Sequence, residues 1–508
     1  MPTIVTTGTV INNPAAPAVS LTVGDIFTIE VGAYVLSGSS VAAANLSGTG
    51  NYIVDIQGTL SGYGLDTTGL ILDSGAGSTH TVTVGLGGTI FGQDGGIIAN
   101  TLITNLTNQG LISTSDAFAF FHSAIDINAA GDSLFNNFGT ISSTASNAIS
   151  FNSTATGTHT IINAGIIRTE GVSAFAIKAD DILSSVENLV NYGYILGNVS
   201  LGAGADIITN LSFIQRTVSL GSGVDIVDNR EGAILGTIDL GDGADLYEGS
   251  DRTSTNVDIV NGGLGIDIIN GNAGNDILNG GGDGDTLNGG AGEDQLDGGT
   301  GIDTLIGGLG NDAYYLRDVG LDGRVIDTTT ELANQGIDGV QTTVGVNLNE
   351  ARFANIENAY VIGTAATNLG GSAGNNVLVG NSAANLIAGL GGRDVMRGGL
   401  GVDTFKYFFN SDTGRTAATR DLIQDFTHLA DKIDLSAMDA NGAGAGNGTF
   451  VFQSVKDTAF TGVAGQLHYL TSGANTLIEG DFNGDSIADF QIELTGNITL
   501  TGGVDIIL

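Results

Sequence analysis

Residues 262–315 consist of six nonapeptides in unbroken register: GGLGIDIIN, GNAGNDILN, GGGDGDTLN, GGAGEDQLD, GGTGIDTLI and GGLGNDAYY. With single departures they follow G-G-x-G-x-D-x-U-x, where U is a large apolar residue. The aspartates are Asp267, Asp276, Asp285, Asp294, Asp303 and Asp312; the apolar partners are Ile269, Leu278, Leu287, Leu296, Leu305 and Tyr314. Turn glycines stand at Gly262, Gly265, Gly271, Gly274, Gly280, Gly289, Gly292, Gly298, Gly301, Gly307 and Gly310. Glycine tolerates positive φ, so six residues can turn sharply and expose carbonyl oxygens. The triplet D-x-U is a minimal strand with its apolar side chain inward. Two nonapeptides therefore close one coil of a parallel solenoid, with a turn on each side.

Turns one coil apart stack, which pairs Asp267/Asp285, Asp276/Asp294, Asp285/Asp303 and Asp294/Asp312. A hard cation takes six or more oxygens at about 2.3–2.6 Å, and stacked carboxylates with turn carbonyls supply them. Four calcium sites are expected in this block. A glycine-rich disordered tract is the bland alternative, and six in-register copies argue against it. Without metal the block is not expected to fold. One apolar residue per nonapeptide does not offset the entropy of ordering so much glycine.

The 508 residues include 54 acidic and 15 basic ones, a net charge of −39. Nucleic acid and anionic membranes are poor partners for such a chain, and metal cations are good ones. The absence of Cys rules out disulfides and thiolate metal sites; calcium can serve as the cross-link of a secreted protein instead. The first residues, MPTIVTTGTVINNPAAP, carry no basic n-region, and no apolar stretch reaches the ~18–20 residues of a membrane span.

Repetition extends upstream. A pentad N-x-G-x-I recurs as NQGLI (108–112), NFGTI (137–141), NAGII (163–167) and NYGYI (191–195), with relaxed copies NLSFI ending at Ile214 and REGAI ending at Ile234. Short β-branched runs lie between them, which specifies a parallel β-helix over 1–199. Asn at a recurring turn suits an internal side-chain ladder or an αL conformation. Over 200–261, LGAGADIIT, LGSGVDIVD and LGDGADLYE place Asp206, Asp225 and Asp245 one coil apart, so one flank becomes a calcium-type turn. The irregular first forty residues are expected to cap the solenoid. Residues 316–361 leave the repeat, with VQTTVGVNL (340–348) as a strand. A degenerate block over 362–406 keeps Asp394 and Asp403 but has Asn376 and Asn385 in place of aspartate; its sites are expected to be weaker or merely structural. The fold class is thus all-β: a right-handed parallel β-helix continuing into a calcium-binding β-roll, then a small β-rich domain over 407–508.

The nonapeptides resemble those of RTX (repeats-in-toxin) proteins. GGLGVDTFKY (398–407), DLIQDF (421–426), DKIDLSAMDA (431–440), FTGVAGQLHY (460–469) and LIEGDFNGDSIADFQIELTG (477–496) occur in that order. Over 362–508 this run resembles the C-terminal domain of the serralysin metalloproteases. The resemblance implies export by a type I secretion apparatus that reads the C-terminus, which here ends VDIIL. Within it, Asp481, Asn483, Asp485 and Asp489, with Gly484 at the bend, are spaced like the start of an EF-hand loop; Ile492 stands where the bidentate Glu belongs.

The family's zinc chemistry does not carry over. The histidines are His80, His122, His159, His428 and His468, and none forms H-E-x-x-H. GGSAG (370–374) matches G-x-S-x-G but sits at the entry to a roll rather than at a strand-to-helix elbow. The enzymatic rival is a β-helix hydrolase or lyase. No Lys or Arg precedes Arg168, which opposes an acidic-polymer site on the N-terminal helix, while Asp116, Asp126 and Asp132 near AFAFFH (117–122) are candidates for neutral-glycan hydrolysis. The reading favoured is a secreted, non-catalytic calcium-binding solenoid with a surface, adhesin or matrix-layer role. Its partners would be calcium, the secretion apparatus, and glycan or other copies of itself.

Overall fold

The computed structural model describes all residues except 1–2, 6–9, 14–17, 24–25, 38–41, 64–66, 74–77, 116–121, 153, 181–184, 253–256, 321–324 and 442–447. The chain divides into two compact units, Met1–Leu287 and Asn288–Leu508. Almost every element is a β-strand, and the described residues contain no α-helix.

In the first unit each coil contributes one strand to each of three parallel sheets. One coil runs Ser133–Asn137, Thr140–Ser143 and Ile149–Phe151; the next runs Thr158–Asn163, Ile166–Thr169 and Phe175–Ala179. Alternation puts every second side chain inward, and parallel register stacks these in columns. One such column holds Phe27, Val54, Val82, Leu106, Phe135, Ile161, Leu189, Ile208, Val227, Tyr247 and Ile269, all fully or almost fully buried. Such columns, rather than any single contact, hold the coils together. The first forty residues are not an irregular cap. Thr3–Val5, Val10–Asn13 and Val19–Val23 form the first rung of all three sheets. Their runs are too short, and too interrupted, for a two-residue period to be read from sequence.

The pentad asparagine closes the corner after each first-sheet strand. Each Nδ2 donates to Oδ1 of the next rung at 2.8 Å along Asn108, Asn137, Asn163, Asn191, Asn210 and Asn229. The second Nδ2 proton reaches a backbone carbonyl, as from Asn163 to Tyr194. The last rung corrects the register of REGAI: Asn229, one residue ahead of Arg230, takes the ladder position because that turn is one residue longer. The rungs are 29, 26 and 28 residues apart up to Asn191, then 19 and 19. As the coil shortens, second-sheet strands shrink to Phe213–Ile214 and Ala233–Ile234, and none follows in this unit. The helix thereby becomes a two-sheeted roll, with Leu246–Glu248 and Ile268–Asn270 on one side and Ile259–Leu264 and Ile277–Gly282 on the other.

The second unit is also two-sided. One face runs Gln295–Thr300, Ala313–Leu316, Gly339–Thr342, Asn358–Val361, Val377–Val379, Val395–Arg397 and Asp421–Ile423. Residues 316–361, which drop the nonapeptide, still supply two of these rungs. The other face runs from Val346–Asn347 through Asn368–Gly370, Leu386–Ala388, Thr404–Lys406 and Lys432–Asp434 to Ile506–Ile507. Phe490–Leu494 pairs with Asp421–Ile423 and then turns antiparallel onto Asn475–Asp481, which carries Gln466–Ser472. This meander covers what would otherwise be an open strand edge.

The ladder makes a measurable demand. Asn163→Ala removes both inter-rung bonds, while Asn137 Nδ2 keeps the Ile166 carbonyl and Asn191 Oδ1 keeps the Gly193 N–H, so each lost bond costs about 0.5–1.5 kcal/mol. Urea unfolding with calcium present should therefore show a loss of roughly 1–3 kcal/mol. Asn128→Ala, in the surface stack of Asn100, Asn128 and Asn152, should cost under about 1 kcal/mol. Equal losses would refute the ladder's role.

Candidate calcium columns

The aspartate of D-x-U precedes a strand and points into the solenoid, not out of it. Asp206, Asp225, Asp267, Asp276, Asp303, Asp394 and Asp403 have no exposed surface, and Asp245, Asp285, Asp294 and Asp312 have at most 3%. Within each unit the anchoring repeats: Oδ1 accepts the backbone N–H of the residue in the same position one rung earlier. In the first unit this runs Glu187, Asp206, Asp225, Asp245, Asp267, Asp285, at 2.7–2.9 Å. On the opposite flank Asp258 donates to Asp276 at 2.8 Å. In the second unit the links are Asp294 to Asp312 to Asp338 (2.9 and 2.8 Å), and Asp303 to Asp327 (3.3 Å). They continue from Asn376 to Asp394 to Asp421 and from Asn385 to Asp403 to Asp431, at 2.8–2.9 Å. The half-formed turns at Asp206, Asp225 and Asp245 thus share one column with Asp267 and Asp285. The pairs Asp276/Asp294 and Asp285/Asp303 have one member in each unit and stand as sequence expectations.

The second carboxylate oxygen shows what the turn lacks. Oδ2 of Asp206, Asp225, Asp245, Asp267, Asp312, Asp394, Asp403 and Asp421 is buried with no hydrogen-bond partner. An anionic oxygen is not left so in an interior without a cation. Other oxygens converge on the same point. A Cβ on Gly262 would lie 2.4 Å from Asp267 Oδ2 and 2.3 Å from the Gly280 carbonyl oxygen. The first glycine of the repeat therefore clears room for oxygens, whereas Gly265, at φ 121°, serves the turn itself. An all-oxygen, carboxylate-rich set fits calcium.

The degenerate block solves the same problem differently. Asn376 Nδ2 donates to the Glu357 carbonyl at 2.7 Å and Asn385 Nδ2 to the Thr367 carbonyl at 3.2 Å. An amide hydrogen reaches a neighbouring backbone carbonyl there, without any added charge. In the 481–489 loop the oxygens are also engaged. Asp481 accepts the N–H groups of Asn483, Gly484 and Ser486, and Asp489 accepts that of Phe482.

Sequence reading missed Glu187, Asp258, Asp327, Asp338, Asp421 and Asp431, all members of these columns. The missed signal is the D-x-U triplet alone, as in Asp258-Ile-Val, Asp421-Leu-Ile and Asp431-Lys-Ile, where no glycine turn precedes it. His159 occupies the rung before Glu187 in the acidic column's register, and His428 lies in the turn leading to Asp431. His80 and His159 are buried rungs; burial drives His80 down to about 4 and lowers His159. His122, His428 and His468 pair with Asp126, Asp505 and Glu479 at 2.8–3.0 Å. Asp126 Oδ2 accepts Ser123 N–H at 2.9 Å, while Asp132 lines a different depression with Ser133 and Thr160. Asp116 and residues 117–121 fall outside the described residues.

The family model of the RTX calcium-binding nonapeptide repeat matches residues 253–287, 288–317 and 370–405. It opens one nonapeptide ahead of the register read from sequence, where Asp258 and Val260 stand as D-x-U. A metallopeptidase AprA of Pseudomonas marginalis is 31% identical over 171 residues, 31% of this chain and 34% of its own length. The serralysin of Photorhabdus luminescens is 35% identical over 170 residues, 30% and 31% of the two lengths. The chain spans about a third of the length of these relatives. The solution structure of the AlgE6R3 subunit of the Azotobacter vinelandii mannuronan C5-epimerase aligns over 45% of this chain and 79% of that one. Its identity is 20% and its TM-score 0.17, too loose a match to bear on the fold. The nonapeptides are RTX calcium-binding repeats, and through them the chain binds several calcium ions.

Two expectations follow. Burial, reinforced by neighbouring carboxylates, pushes Asp225 up to about 7, Asp245 and Asp312 to about 6, and burial with Asp412 nearby pushes Asp394 to about 8. Unfolded aspartate titrates near ~3.9. In the metal-free fold these groups therefore contribute stability below about pH 4 that is lost as pH rises through roughly 6–8. Calcium-stripped protein should hold more β-structure by circular dichroism at pH 5.5 than at pH 8, and calcium affinity should fall between pH 8 and 5.5; the reverse order would refute this. Gly262→Ala should raise the calcium concentration needed for folding. Gly87→Ala, whose Cβ meets nothing nearer than 3.8 Å, should leave it unchanged.

Proposed function

We propose that this chain is a secreted, non-catalytic solenoid that sets when calcium fills its columns, and that its surface serves adhesion or a cell-surface or matrix layer. The columns carry this reading, because each buried carboxylate oxygen without a donor is a demand that only a cation meets. A free calcium level a hundredfold above Kd supplies about 2.7 kcal/mol per site, so a few ions move a marginal roll from unfolded to folded.

Export before folding is supported by the last rung. Asp505 and Ile506 have no exposed surface. Asp505 accepts from Leu429 N–H at 2.8 Å and pairs with His428, and Ile506 is in register with Ile433. A terminus read by a type I apparatus would be free of this sheet in low calcium. Proteolysis, the activity named for the metallopeptidase relative, finds no H-E-x-x-H here.

The glycan-enzyme alternative rests on one depression of about 730 Å³, lined by His122, Asp126, Ser146, Ser150 and Glu170 among others. Its buried carboxylate, Asp126, is already engaged by Ser123 and His122. A calcium titration at pH 8 followed by circular dichroism tests the main reading. The expected result is little β-structure in chelator and a cooperative gain with millimolar calcium; a β-rich spectrum in chelator would sink it. Release of reducing sugar from any neutral glycan would favour the alternative.

A further inference from the structure

After the last nonapeptide the chain makes an excursion and returns acidic residues to the same place. Asp312 precedes Ala313–Leu316, and Asp338 precedes Gly339–Thr342, its parallel neighbour. Asp312 N–H donates to Asp338 Oδ1 at 2.8 Å, so Asp338 prolongs the column. Glu331 arrives from the other sheet. Thr328–Thr330 pairs with Thr304–Leu309 so that Ile306 faces Thr330. One step on, Glu331 occupies the rung position that the preceding nonapeptide gives to Gly307. Where the repeat leaves room for oxygens, this rung supplies a carboxylate.

Ligand atoms of Asp312, Glu331 and Asp338 lie within 4.8 Å of one another. Their relative exposures are 3%, 6% and 1%, so water does not balance the charge. A second observation points to a ligand: Asp312 Oδ2 is buried there without a hydrogen-bond partner. It converges with two further oxygens. A Cβ on Gly307 would lie 2.4 Å from Asp312 Oδ2, 2.4 Å from the Tyr314 hydroxyl and 2.8 Å from Glu331 Oε2. The hydroxyl is fixed by accepting Gly307 N–H at 2.8 Å and donating to Glu331. Donors reaching the cluster, the N–H groups of Asp294, Asp312 and Leu332 and the phenol, are neutral. Hydrogen bonds from neutral groups do not cancel three buried negative charges, whereas a divalent ion cancels two and binds all three oxygens.

We propose that Asp312, Glu331 and Asp338 hold one further divalent cation of the calcium class, beside the Tyr314 phenol, at the point where the nonapeptide pattern ends. The site differs from the repeat's own in placing a carboxylate, Glu331, where the repeat has a glycine. It ties the excursion of 317–338 back onto the roll. It rests on the reading above only in that the roll's turns take calcium.

The test uses the full chain, with bound calcium counted by atomic emission after equilibrium dialysis. Terbium supplies a second readout: the chain has no Trp, so sensitised emission on ultraviolet excitation comes through tyrosine. Glu331→Gln should lower the stoichiometry by one ion per chain. Tyr314→Phe, which keeps all three carboxylates, should remove this site's share of terbium emission while leaving the calcium-induced circular dichroism intact. Should Glu331→Gln fail to fold, Tyr314→Phe decides, and unchanged emission overturns the site. Unchanged stoichiometry in a folded Glu331→Gln chain overturns this site alone. A wild-type chain that binds no calcium overturns the columns, and this site with them.

Discussion

Two carboxylates one rung apart in a buried turn cannot both be charged unless something positive sits between them, and the roll stacks such pairs repeatedly. Ordering nine residues costs about 9–18 kcal/mol of backbone entropy, and burying one leucine returns about 2–3 kcal/mol. Strand ladders add a modest net gain per hydrogen bond. That leaves a deficit per nonapeptide, to which uncompensated charge in the turns adds. Uncompensated, the columns oppose folding. Raised pKa values are the same conflict expressed in protons. Burial holds Asp225 at about 7 and Asp394 at about 8, so hydrogen ions and calcium compete for the same oxygens.

The upstream helix meets the same geometric problem with a different group. A carboxamide both donates and accepts, so Asn108 through Asn229 satisfy one another rung after rung. A carboxylate only accepts, and a stack of carboxylates needs an external partner. The changeover is visible at one rung position, two residues past the buried column. It is Asn after Leu189, Ile208 and Val227, then Gly249 after Tyr247 and Gly271 after Ile269. Asn229 ends the ladder against the Tyr247 hydroxyl, 3.5 Å away, whose own surroundings already include Asp258. The acidic column begins earlier, at the start of the strands. Ser133 and His159 precede Glu187 in that register, and Asp206 follows. For several rungs the amide ladder and the acidic column run side by side.

This arrangement explains what could be read from sequence. The short period, the inward D-x-U residues and the asparagine ladder are each imposed by a rule that repeats, so they leave a repeating trace. Asp267 and Asn163 were legible because their neighbours in sequence recur with them. Asp338, Asp421 and Asp431 occupy the same structural position but follow long excursions; Asp338 keeps only Gly336 of the turn glycines, and Asp421 and Asp431 have none. The position requires only an inward acidic residue followed by a buried apolar one, a pattern too brief to stand out. Glu331 left no repeating trace, because it fills a place that the repeat reserves for glycine. The first rung was missed for a related reason: Thr3–Val5 and Val10–Asn13 are shorter than a window in which alternation can be recognised.

The two solutions also divide the chain by what it needs from its surroundings. Corners closed by amides carry their own hydrogen-bond partners. Rungs closed by carboxylates have no donor of their own for the second oxygen. The last rung belongs with the second group: Asp505 is tied to His428 and Leu429, and Ile506–Ile507 pairs with Lys432–Asp434, whose neighbour Asp431 closes an acidic column through Asp403. Order at residues 505–507 therefore follows order in the columns.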